Sequence, residues 1–188
     1  MNQHLNMFGI SLLILTLLTA VILALMAGPA NPLTWLLVAA LVVIPFIHRK
    51  ISDKRFMEWK SEYDVGIGSI DRQHRKLVNL INQLQTAIDY STGEEFEREA
   101  LDELVNYTKT HFSYEEGLME THEYPDFEPH KAQHLKMIRE VEAVLTEYEE
   151  NQEGAMQRAL DFLKDWLINH INGTDQQYSG FLRARGVE

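Results

Sequence analysis

The chain has no cysteine among its 188 residues. That excludes disulfides, thiolate zinc sites and cysteine-ligated iron–sulfur clusters, so any metal must sit on His, Asp or Glu. Acidic residues are missing from the first 50 positions, where the only charges are Arg49 and Lys50. Residues 51–188 therefore hold 28 acidic side chains against 15 basic ones. A segment that acidic is a poor match for nucleic acid, and no nucleic-acid partner is expected. Its acidity reads as solvated helix faces. Also missing are a nucleophile motif, a second cofactor motif and any basic residue ahead of the first apolar run.

What is there begins with that run. Phe8 to Ala27 is twenty residues without a charge, enough to span a bilayer core as a helix. Gly28-Pro-Ala-Asn-Pro32 is a turn. Leu33 to Ile47 is a second, shorter apolar run containing Pro45, and His48-Arg-Lys50, Lys54 and Arg55 follow it. The basic flank predicts a transmembrane hairpin over residues 1–50, in lipid contact through residues 8–47, with both ends in the cytoplasm. A cleaved leader is the competing reading, since Ala24 to Ala30 is rich in small residues. The missing basic start and the length of the run oppose it.

Residues 48–60 read as a polar linker, and 51–68 as linker plus an irregular arm carrying Trp59, Tyr63, Val65 and Ile67. Helical periodicity then runs almost to the end, over 69–188. The first seam is Ile70, His74, Leu77, Ile81, Leu84, Ile88, at intervals of four and three. Ser69 or Asp71 can cap its start, and Ser91-Thr-Gly93 turns the chain. A second helix over about 95–120 carries Leu101, Leu104, Thr108, His111, Glu115 and Leu118 inward. A third over about 127–149 carries Phe127, His130, His134, Met137, Val141, Val144 and Tyr148. A fourth from near Gly154 carries Met156, Ala159, Leu163, Trp166 and His170, and a tail with Tyr178 and Phe181 follows. Short connections make neighbours antiparallel, so the fold class is all-α, an up-down four-helix bundle after two transmembrane helices.

Every one of these seams is interrupted by histidine. His74 is near the start of the first helix, His111 and Glu115 near the end of the second, His130 and His134 near the start of the third, and His170 near the end of the fourth. In an antiparallel bundle those four places share one end. Burying unpaired polar groups costs several kcal/mol each. Five imidazoles converging with a carboxylate are accounted for directly by metal ligation. His4, His48 and His122 fall outside this layer and are excluded as ligands.

The motifs are Trp59…Tyr63-Asp-Val-Gly, Ile70-Asp-Arg-Gln-His74, His111-Phe-Ser-Tyr-Glu115-Glu, His130-Lys-Ala-Gln-His134 and Trp166-Leu-Ile-Asn-His170-Ile-Asn-Gly-Thr-Asp175. Together they resemble the hemerythrin family, specifically the bacterial hemerythrins, over about residues 57–185. The resemblance implies a non-haem di-iron site. One iron would take His130, His134 and His170, and the other His74 and His111. Glu115 and Asp175 would bridge them, with a solvent-derived oxo or hydroxo bridge as the third link. The two-histidine iron would keep an open position for dioxygen. Imidazole suits iron and carboxylates suit hard cations. Ferritin-like di-iron oxidases use more carboxylates, so the richness in histidine points away from them.

Asp175 is the least secure ligand by geometry. It follows His170 by five residues, and an ideal helix would turn it about 140° away. A π-bulge or a break near Gly173 is needed to bring it inward. Leu167 matches a family pocket leucine, and Phe112, Trp166 and Ile171 are candidates for the rest of an oxygen pocket. The expected function is reversible dioxygen binding without catalysis, for storage or for delivery to a membrane oxidase or oxygenase, at the bacterial inner membrane facing the cytoplasm. A di-iron peroxidase or oxidase, or an oxygen or redox sensor, is the alternative. A sensor would be expected to carry a signalling domain, for which the sequence leaves no room.

Overall fold

A computed structural model describes residues 2–28, 30–53, 55–90, 93–150 and 154–188, and all of its regular structure is helical. Ser91, Thr92 and Lys54, and the side chains of His4, His48 and Arg49, lie outside the described residues. The chain divides into two compact units, one of Met1–Phe56 with Asp89–Ser91 and one of Met57–Ile88 with Thr92–Glu188.

The first unit holds α1 (Asn2–Ala27) and α2 (Pro32–Asp53). Asn31 accepts the backbone N–H of Leu33 at the start of α2, and Pro32 occupies its first position, where a missing N–H costs nothing. Within α1, Gly9–Met26 has a mean hydropathy of 2.6 and is long and apolar enough to cross a membrane. Pro32–Ile47 is a shorter apolar stretch. The polar linker expected from residue 48 starts later than that, because α2 continues to Asp53 with Lys50 in its last turn, where a cation complements the helix dipole.

The second unit is an up-down four-helix bundle of α3 (Gly68–Tyr90), α4 (Glu94–Thr121), α5 (Phe127–Glu149) and α6 (Ala155–His170). A π-helical turn, Ile171–Asp175, continues α6 into α7 (Gln176–Arg183). The core is the set of seams read from the sequence: Leu77, Ile81, Leu84, Leu101, Leu104, Met137, Val141 and Leu163 are all buried. The seams drift at their ends. Ile88, Leu118, Phe127 and Tyr148 are only partly buried, and Met119 takes the fully buried place expected of Leu118. Such drift is what 3.6 residues per turn produces against a 3.5-residue repeat.

Two local features set the end of the bundle where the histidines meet. The α4–α5 turn is tight: Tyr124 N–H donates to Met119 O at 2.9 Å while Glu123 takes a left-handed φ of 54°. That is the six-to-one closure of a helix C-terminus, with Glu123 in the place glycine usually fills. The arm is pinned as well. Met57 and Asn82 exchange two hydrogen bonds, at 2.8 and 2.9 Å, and Tyr63, Val65 and Ile67 enter the core. Asp71 serves the arm instead of capping its own helix, accepting Val65 N–H at 2.7 Å and Gly66 N–H at 3.2 Å.

Candidate metal centre

All five seam histidines, Glu115 and Asp175 are buried, each at most 4% exposed. The i,i+4 pairs behave as their spacing dictates. His130 and His134 stand on one face of α5 with their Nε2 atoms 3.0 Å apart, and His134 Nε2 is 3.0 Å from His170 Nε2 on α6. Two ligands about 2.1 Å from a metal and at right angles lie about 3.0 Å apart. The spacing is therefore that of neighbouring corners of one coordination sphere.

The π turn brings in Asp175. Its extra residue per turn offsets the rotation that an α-helix would impose over five positions. Asp175 Oδ1 lies 3.1 Å from His170 Nε2 and 3.7 Å from His130 Nε2, and its Oδ2 lies 3.3 Å from His74 Nε2. Glu115 divides in the same way. Its Oε2 is 3.5 Å from His134 Nε2 and 3.8 Å from His130 Nε2. Its Oε1 is 3.6 Å from His74 Nε2 and 3.5 Å from His111 Nε2. Seven donors thus form two sets that share both carboxylates, three imidazoles on one side and two on the other.

Several of these inward-facing atoms have no hydrogen-bond partner: His74 Nε2, Glu115 Oε2 and both oxygens of Asp175. Buried polar atoms are almost always satisfied, so a cluster of orphans facing one point fits a cation. Glu115 with His130, His134 and His170, and Glu115 with His74 and His111, are each close enough together to hold an ion.

Residues 65–182 match the family model described as the hemerythrin HHE cation binding domain. The chain belongs to the hemerythrin family. It is 34% identical over 126 residues to a bacteriohemerythrin of Stenotrophomonas maltophilia, covering 67% of this chain and 81% of that protein. It is 30% identical to a bacteriohemerythrin of Methylococcus capsulatus, over 68% of this chain and 98% of that one. A crystal structure of wild-type hemerythrin superposes with a TM-score of 0.61 at 32% identity, covering 67% of this chain and 97% of that chain.

Three residues of this hemerythrin domain escape the seam reading. Tyr178 on α7 is fully buried and donates its hydroxyl to Glu115 Oε1. Gln73 Oε1 accepts His111 Nδ1–H at 2.9 Å, and Glu116 Oε1 accepts His134 Nδ1–H at 3.0 Å. Each fixes the tautomer that leaves Nε2 free to ligate. Both lie next in sequence to a seam residue, but the imidazole each one serves stands on a different helix, so adjacency does not mark them.

Aromatic rings fix the imidazoles further. Phe112 stacks on His134 at 3.6 Å, and Trp166 on His170 at 4.1 Å. Behind them is an apolar cavity of about 10 Å³ lined by residues of all four helices, Phe112, Trp166 and Leu167 among them. Ile171 is buried in the π turn and does not line it.

The electrostatics follow from burial against carboxylate. Burial pushes His111 down to about 4 and His134 down to about 2, keeping both neutral. Burial also opposes charge on His74, but Asp175 and Glu115 outweigh it and raise His74 to about 9. Burial raises Glu115, yet His111, His130 and His74 hold it well below the usual carboxylate range. Burial and the Glu115 charge drive the Tyr178 phenol well above its ordinary value, so it stays a donor.

Proposed function

We propose that this chain is a membrane-anchored dioxygen carrier. In this reading residues 1–50 form the transmembrane hairpin, 51–68 the connecting arm, and 69–188 a hemerythrin bundle on the cytoplasmic side of the inner membrane. The bundle would take two non-haem irons. His130, His134 and His170 would hold one, His74 and His111 the other, and Glu115 and Asp175 lie within reach of both sets. The observation that carries the reading is the division of seven buried donors into a three-imidazole and a two-imidazole set sharing two carboxylates. The smaller set, with one imidazole fewer, would leave room for dioxygen. Two ferrous ions, when bound, supply the two electrons that dioxygen takes up reversibly.

The protein's part is to fix and to exclude. Phe112, Trp166 and Leu167 wall the cavity beside the donors, and Ile171 closes the π turn behind them, so water is kept off. Anchoring is supported by the apolar length of α1. Dioxygen is more soluble in lipid than in water, so a tether at the bilayer suits storage or delivery to a membrane oxidase or oxygenase.

Iron analysis of the purified chain, with optical spectra under oxygen and under vacuum, tests this. Two irons per chain and a visible band that appears and vanishes over many cycles are expected. His74→Ala and Glu115→Ala should each abolish the band. Reversible oxygen binding that survives in either variant would overturn the ligand assignment. Rapid one-way oxidation with turnover of an added substrate would favour the oxidase reading.

A further inference from the structure

The two halves of the centre differ in what backs them. Of the five ring nitrogens pointing away from the donor cluster, those of His74, His130 and His170 have no hydrogen-bond partner. The remaining two do. His134, in the three-imidazole set, donates to a carboxylate, Glu116. His111, in the two-imidazole set, donates to the neutral amide of Gln73 at almost the same distance. Lys131 Nζ lies 3.9 Å from the other oxygen of Glu116, whose side chain is 21% exposed, so the carboxylate sits at the edge of the protein.

We propose that Glu116 makes the three-histidine half the tighter seat, so that metal loads in a fixed order: His130, His134 and His170 first, His74 and His111 second. An anionic acceptor makes a stronger hydrogen bond than a neutral one and raises the basicity of the ring it holds. The extra electron density reaches Nε2 of His134, beside Glu115 Oε2 and His170 Nε2. Gln73 orients His111 without adding charge. The second ion also enters beside an occupied seat, whose positive charge opposes it across the shared carboxylates. Glu116 is a positioning residue here, acting through His134. The inference rests on the di-metal reading above.

The test is an anaerobic stepwise titration of the metal-stripped full chain in detergent with Co(II), against a competing chelator. Ligand-field absorbance is followed at each equivalent. Wild type should bind two Co(II) in two resolved steps. Glu116→Gln keeps the shape and the acceptor oxygen while removing the charge, and should weaken the first step by about 10–100-fold with the second unmoved. Gln73→Glu should tighten the second step, and the double exchange should bring the two steps together. A general loss of structure would move both steps alike. Equal shifts, or none, in both single variants would overturn the proposal while leaving a two-metal site. Binding of fewer than two Co(II) by wild type would overturn the di-metal reading itself.

Discussion

The hydroxyl of Tyr178 donates to Oε1 of Glu115, tying the last helix to the carboxylate that faces both imidazole sets. Both residues are fully buried, and that oxygen also faces His74 and His111. A hydrogen bond to a charged acceptor is worth about 1.5–3 kcal/mol, and its loss here leaves the carboxylate short of a donor. Tyr178→Phe should therefore destabilise the metal-free protein by about that amount. Urea unfolding followed by circular dichroism checks it, and an unmoved midpoint would count against the bond.

The π turn is equivalent to one residue inserted into a helix. Gly173 sits in it, exposed, with open space where a Cβ would be. Deleting Gly173 should restore a plain α-helix with the aspartate four residues after His170, on the same face, and metal content should survive. Adding an alanine after Gly173 should rotate Asp175 and Tyr178 by about 100° and remove metal. Metal per chain by elemental analysis decides it, and equal loss in both variants would show that length alone is not what the turn controls.

Leu167 is 5% exposed and lines the apolar cavity with Leu77, Ile81, Leu104 and Phe112. Truncating a buried leucine typically costs about 2–5 kcal/mol. Leu167→Ala should fall in that range and should also shorten the life of the oxygenated protein, because the cavity then admits water. Stopped-flow decay of the oxygenated spectrum measures the second effect. A lifetime equal to wild type would reduce Leu167 to plain packing.

The full chain is expected to sediment with membranes and to resist extraction by alkaline carbonate, whereas a fragment of residues 57–188 should remain in the supernatant. The apolar length of α1 and the separateness of the second unit both lead to this outcome. Release of the full chain by carbonate would dismiss the anchor.

Much of the centre is legible in the sequence because its residues break a regular pattern. His74, His111, His130, His134 and His170 stand where the seams demand leucine, and antiparallel packing assigns them one end. The start of α5 is readable as well, since Pro125 stands just ahead of it. Asp175 is legible only as a conditional, since its place depends on a helix type that residue spacing does not reveal. Tyr178 is lost with it, being carried round by the same π turn. Gln73 and Glu116 lie beside the seams, where polar residues are ordinary and partners come from another helix. Asp71 looks like a cap because its acceptors suit any nearby amide; the folded arm, a non-local event, decides which amides arrive.

The donors all sit where α3 and α5 begin and α4 and α6 finish. The opposite half of the bundle, around Leu84, Leu101, Val141 and Met156, relies on apolar packing. Metal loading would thus rivet one end of the bundle. Amide exchange should slow steeply there and fade toward the distant loops, a stiffness gradient that runs lengthwise down the barrel of helices.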